Sequence, residues 1–208
     1  MKSLVIYSFA LVAAAGLTFG QTPGEPLKVK VDVKKVTVGD QGTPDIAAGN
    51  VTAKRWKPKK WIEVDVEFEI KLATELGGRN GTYPGMQMNI FLGLNHNTKE
   101  GKAEVIKGTL NLVNIPAGEE CHALAYVSPA SLKSIFQKDN VLAGSDIKAW
   151  GVEVIVEGQL IEGKSSVGTT PWWKAEDKFQ MLDGLLLSKP ETPFSVLWGD
   201  YDVPVAKK

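Results

Sequence analysis

Cysteine is nearly absent from this sequence: Cys121 is the only one in 208 residues, so no disulfide can form within the chain. None is required at this length, because a chain of this size buries roughly 70% of the surface that its unfolded form exposes. Histidine is almost as scarce, and His96 and His122 stand outside any H-x-H or H-E-x-x-H spacing that sets two imidazoles on one metal. A surplus of either charge is missing too. The 24 Lys+Arg balance 24 Asp+Glu, which speaks against a nucleic-acid partner, since phosphates call for a basic excess. No G-x-S-x-G, P-loop or G-x-G-x-x-G occurs, so no catalytic residue, cofactor or metal is predicted. Cys121 and His122 are neighbours, but on a strand adjacent side chains point to opposite faces and cannot act as nucleophile and base.

One long apolar run is present, and it stands at the start. Lys2 is the only charge before Glu25, Leu4 to Ala15 are largely apolar, and the small Thr18 and Gly20 precede Gln21. This order of basic start, apolar middle and small-residue end predicts a secretory signal peptide over residues 1–20. A retained membrane anchor is the alternative, which Pro23-Gly24 disfavours. Cleavage leaves residues 21–208 as one exported domain with no membrane span, in the periplasm, on the outer surface or secreted. The mature chain is one charge below neutral, and its lone thiol is expected to be buried.

Period-two patterning fills the remainder. Ile62, Val64, Val66, Phe68, Ile70 and Leu72 alternate with charged residues, which marks a strand with one buried and one wet face and an antiparallel sheet. Residues 27–38 alternate likewise and change parity at Lys34-Lys35, where a β-bulge is expected. Further strands are read at 51–56, 85–94, 102–113, 121–128 and 146–161, with a hairpin tip at Gly77-Gly78-Arg79-Asn80-Gly81, where Asn-Gly tolerates positive φ. Ser128 followed by Pro129 predicts a short helix over 128–136. Residues 170–187 fit either a helical turn or a loop leading to a last strand. With 43% hydrophobic and 23% charged residues, disorder is excluded. The fold expected is an all-β antiparallel sandwich of immunoglobulin-like type with one short connecting helix, a closed barrel being second.

Two features bear on binding. The loop 39–45 carries Asp40 and Asp45, too few carboxylates for a strong Ca²⁺ site, and reads as an ordinary turn. Trp172-Trp173, after Gly168-Thr169-Thr170-Pro171, are the candidate ligand-binding residues, as a stacking platform for a glycan. Core packing is the competing role, because indoles bury large areas. The carboxylates of residues 61–72 are read as the wet face of a strand.

Near the C-terminus, Leu186-Leu187-Ser188-Lys189, Glu191-Thr192-Pro193-Phe194 and Leu197-Trp198-Gly199-Asp200-Tyr201 follow one another. This ending resembles that of secreted verrucomicrobial pilus-associated (pilus-like) proteins with an immunoglobulin-like fold. The resemblance implies a non-enzymatic surface or envelope protein with an envelope or pilus protein as partner. It departs from true pilins, whose apolar helix survives processing, whereas here the apolar run precedes the expected cleavage site. A carbohydrate-binding module is the rival function, and a hydrolase with carboxylates drawn from separate strands is the third. From the residues themselves, Phe194, Val196 and Trp198 are expected to form a closing edge strand, anchored by Phe194 and Trp198.

Overall fold

A computed structural model describes residues 27–46, 49–52, 54–175 and 177–207. The signal peptide expected over residues 1–20 lies outside them. The strands are β1 (Val29–Gly42), β2 (Lys60–Leu72), β3 (Thr82–Asn97), β4 (Ala103–Pro116), β5 (Cys121–Val127), β6 (Ile147–Val156), β7 (Gln159–Ser165), β8 (Phe179–Asp183) and β9 (Leu186–Ser188). Helices α1 (Pro129–Phe136) and α2 (Ala143–Asp146) lie between β5 and β6. The strands form two packed sheets, ordered β1-β2-β5-β9 and β7-β6-β3-β4-β8, with every neighbouring pair antiparallel except β4 and β8. The protein is an all-β sandwich.

The period-two pattern sets which face of each strand enters the core. Ile62, Val64, Val66, Phe68 and Ile70 of β2 are completely buried, as are Met88, Ile90 and Leu92 of β3 and Val152, Val154 and Val156 of β6. These side chains share one cluster between the sheets, where burial of apolar surface supplies the main stabilisation. The β1–β2 register slips between Val33 and Lys35, placing the bulge where the parity change predicts it. Lys164 of β7 donates to the carbonyls of Val33 (2.6 Å) and Lys34 (2.7 Å), tying the facing edges of the two sheets together at that bulge. Residues 39–42 are not the turn that the sequence suggests but the end of β1, paired with β2, and there Asp40 accepts from the Ala143 amide at 2.7 Å, lies beside Lys60 and braces α2. Helix α1 starts as expected, with Ser128 Oγ accepting from the Ser131 amide.

Several sequence expectations are corrected. Residues 51, 52 and 54–56 form no strand; Val51 and Trp56 are exposed, and the cations around Trp56 keep that stretch in water. Residues 77–81 are not a hairpin tip, because β2 and β3 belong to different sheets. The crossing is made by two 3-10 turns, and the left-handed residues are Gly77 and Gly78. The run read as one strand over 146–161 is the β6–β7 hairpin, turned by Glu157-Gly158, both at positive φ as a type I′ turn requires. Residues 170–187 hold a 3-10 turn and two short strands, one in each sheet. Phe194, Val196 and Trp198 form no strand: Phe194 is fully buried while Val196 is 71% exposed.

Each sheet carries a smaller aromatic cluster on its outer face, covered by an irregular segment. On the β3 sheet, Phe91, Val105 and Trp173 pack under Trp172, Phe179 and Met181. On the β2 sheet, Leu124 and Tyr126 pack under Phe194, with Trp61 and Leu197 at their side. This second cover explains why every residue of β5 is buried.

Candidate functional site

The two tryptophans expected to bind a ligand do not present one flat surface. Trp173 is buried, stacks on Phe91 at 4.9 Å, and donates its indole N–H to Glu153 at 3.0 Å. Trp172 is half-buried and stands perpendicular to it at 87°. Two glycines make room for the pair: a Cβ on Gly151 would lie 2.1 Å from the Trp173 ring, and one on Gly93 would lie 3.1 Å from Trp172. Core packing therefore accounts for most of this pair's surface, although the edge of Trp173 lines a cleft with Glu153, Lys164 and Thr169. Gly151→Ala is expected to destabilise the fold by about 1–3 kcal/mol through overpacking. Calorimetry checks this, and a melting temperature unchanged from wild type would show that the ring can move aside.

The scarce polar chemistry gathers instead on the outer face of the other sheet. Trp61, Glu63, Asp65, Glu67 and Glu69 share that face of β2 because they are the alternate residues to the buried set. Antiparallel pairing then sets Glu63 opposite Tyr126, Asp65 opposite Leu124 and Glu67 opposite His122. These carboxylates are not the wholly wet face that the sequence suggests, because residues 189–203 lie over part of it and leave them half-buried.

The covering segment is built by local hydrogen bonds. Glu191 accepts from both the amide (2.9 Å) and the hydroxyl (2.8 Å) of Ser188, and Thr192 Oγ1 donates to the Lys189 carbonyl while accepting from the Phe194 amide. Phe194 stacks on Tyr126 at 4.5 Å and meets the edge of Trp61 at 5.6 Å. Lys189 is buried; its ammonium donates to the Trp198 carbonyl at 3.1 Å and pairs with Asp202. That bond helps hold Trp198 at φ 50°, a left-handed conformation that costs a bulky residue about 1 kcal/mol or more. Tyr201 stacks on His122 at 4.1 Å and donates its hydroxyl to Asp65 at 2.6 Å. The Val203 amide donates to the His122 carbonyl, and Pro204 and Ala206 then bond to β4 on either side of Leu112. The chain end thus joins the two sheets at the edge opposite Lys164.

Between β2 and this segment lies a pocket of about 200 Å³, lined by Gln41, Glu63, Asp65, Leu124, Trp198 and Tyr201. Glu63 Oε2 is buried and completes no hydrogen bond of good geometry among the described residues, and neither does the hydroxyl of the fully buried Tyr126, which faces the Glu63 carboxyl from the paired strand. Burial pushes the Glu63 carboxyl up from its ordinary value, and neighbouring Asp65 adds to this against the opposing influence of the Tyr126 hydroxyl. Trp198 and Tyr201 form the rim, 45% and 44% exposed.

His122 sits below Tyr201 between Asp65 (2.8 Å) and Glu120 (3.1 Å). Burial works against its charged form, but the two carboxylates outweigh it and hold the imidazole above its ordinary value. A raised folded value gives stability that is complete below the unfolded value and is lost as pH rises through the folded one. The melting temperature is therefore expected to fall on going from about pH 6 to about pH 9, with a smaller fall for His122→Gln. Equal slopes in the two proteins would remove His122 as the cause.

Cys121 faces the core on the opposite side from His122, and burial pushes its thiol up to about 11. The pair thus forms no nucleophile and base. His96 pairs with Glu104 and meets the edge of Phe136, away from His122. Among the described residues no three His, Cys, Asp or Glu side chains gather in a way that suits a metal ion. No helix among them is long and apolar enough to cross a membrane.

A protein-family model matches residues 24–208, most of the chain. The chain belongs to that family. The matched span takes in both sheets and the whole covering segment, so the pocket lies inside what the family model describes. Among solved structures, a crystal structure of a protein from Akkermansia muciniphila is similar over 86% of this chain and 94% of that one, at 24% identity and a TM-score of 0.76. That likeness establishes a shared fold. No protein of curated function matches the chain significantly. The sequence signal that pointed toward the site was the C-terminal run itself. Glu63 and Asp65 were missed because alternation alone makes them ordinary surface residues.

Proposed function

We propose that this is a non-enzymatic exported protein of the cell envelope or surface, an immunoglobulin-like module that is pilus-associated and docks a partner protein through the C-terminal segment and its pocket. The observation that carries the reading is a coincidence of residues. The same run that resembles the pilus-associated proteins, residues 186–201, builds the cover over β5 and presents Val196, Trp198 and Tyr201 outward. Large side chains held outward on a hydrogen-bonded frame beside a partly buried carboxylate pocket are a feature of recognition surfaces. The verrucomicrobial source of the similar crystal structure supports the assignment to this group. The test is capture of an envelope partner by the purified protein, compared with Trp198→Ala and Val196→Asp. Loss of capture in both variants, with melting temperatures kept, is the expected result, and undiminished capture by both would remove this face from the interaction.

The glycan-binding alternative is favoured by the cleft of about 400 Å³ beside Trp173, where Glu153, Lys164, Ser165 and Thr169 offer polar groups. Titration calorimetry against oligosaccharides tests it. Heat that disappears in Lys164→Ala would favour it, and silence across a broad glycan panel would end it.

A further inference from the structure

We propose that the pocket between β2 and the C-terminal segment takes the ammonium end of a lysine side chain presented by the partner protein. This rests on the docking reading above and gives it a chemistry. Glu63 Oε2 is a buried acceptor that completes no hydrogen bond of good geometry; the hydroxyl of the fully buried Tyr126 faces it and acts on the carboxyl, but is not aligned to satisfy it. Buried polar atoms are ordinarily satisfied, so the unpaired carboxylate oxygen at the pocket wall leaves room for a donor from outside. Asp65 is already paired with His122 and accepts from Tyr201, so Glu63 is the carboxylate left open: no lysine or arginine among the described residues forms an ion pair with it, and the nearest basic residue in sequence, Lys60, lies beside Asp40 instead.

The remaining lining narrows the ligand. Two carboxylates exclude an anion, and no group of three His, Cys, Asp or Glu side chains suited to a metal ion occurs among the described residues. The rings of Trp198 and Tyr201 at the rim attract a cation through their π faces, and Leu124 at the base suits an aliphatic stem. A volume of about 200 Å³ admits one long side chain. A single buried oxygen on Glu63 is a point acceptor, which favours a compact ammonium over a planar guanidinium that binds carboxylates by two parallel bonds. Exposed Val196, two residues before Trp198 in the chain, offers a contact for an apolar residue near that lysine.

The test is a titration of the ¹⁵N-labelled protein with Nα-acetyl-lysine N-methylamide, its Nε-acetylated counterpart and the arginine analogue, following the Trp198 indole N–H. The lysine compound is expected to give saturable shifts, the arginine compound weaker binding and the Nε-acetylated compound none. Glu63→Gln is expected to bind roughly tenfold more weakly, because a charge-assisted bond becomes a neutral one. That variant keeps the side-chain shape and removes a carboxylate that burial disfavours, so an unchanged or higher melting temperature separates lost binding from lost folding. No shift at Trp198 with the lysine compound, or equal shifts from the Nε-acetylated one, overturns the proposal. Partner capture that depends on Trp198 without any lysine response overturns the lysine assignment and leaves the docking reading standing. A lysine response that Glu63→Gln abolishes, beside capture indifferent to Trp198→Ala and Val196→Asp, supports the pocket's chemistry and removes the docking reading alone.

Discussion

Phe194→Ala is expected to destabilise the protein by about 3–5 kcal/mol, the cost of emptying a buried aromatic site. In a chain of this length that is a fall in melting temperature on the order of 10 °C. Phe194 is fully buried although it lies outside the main core, stacked on Tyr126 and edge-on to Trp61, with Trp198 parallel at 6.4 Å. Without it Tyr126 is uncovered, and the segment from Lys189 to Val203 loses the apolar contact that seats it on β5. Phe194→Leu should recover part of the loss, since it restores volume without the stacking. Differential scanning calorimetry of the three proteins decides it. A shift below about 2 °C for the alanine variant would mean that the hydrogen bonds around Thr192 hold the segment without its plug.

This residue also marks how far the fold was legible in the sequence. Alternation over twelve residues of β2 identified an amphipathic strand, because a long run leaves few other ways to bury its apolar face. The parity change at Lys34-Lys35 located the bulge for the same reason. Phe194, Val196 and Trp198 offered only three points, and a hydrogen-bonded turn that buries the first and exposes the second satisfies them equally well. Glu157-Gly158 was hidden by apolar parity that runs through the hairpin, and in Gly77-Gly78-Arg79-Asn80-Gly81 the turn was legible but the positive φ falls on Gly77 and Gly78 rather than on Asn-Gly. The pocket needed coordinates. Tyr201 and Asp65 are joined by a hydrogen bond across 136 positions, and nothing local to β2 marks Glu63 and Asp65 as different from Glu67. What the sequence did carry was the cluster of large and turn-forming residues at its end, a density of punctuation that a plain edge strand does not need.

Removing the buried cation of that segment should be as damaging as removing its plug. Lys189 and Asp202 have side chains only 6% and 9% exposed, and the Lys189 ammonium also holds the Trp198 carbonyl at 3.1 Å. Lys189→Met keeps the apolar stem but leaves Asp202 buried without its cation, a change that costs about 3–5 kcal/mol when one partner of a buried pair is deleted. It also releases the left-handed Trp198, so the rim of the pocket should loosen along with the fold. The double variant Lys189→Met/Asp202→Leu separates these effects. Replacing both charges removes the unpaired carboxylate and should recover most of the stability. It does not restore the anchor on Trp198, so partner capture should stay impaired in a protein that is again stable. Chemical denaturation beside capture measures both quantities. A single variant within about 0.5 kcal/mol of wild type would mean that Asp202 reaches water on its own. Full recovery of capture in the double variant would mean that Trp198 is held in place by stacking on Phe194 rather than by Lys189.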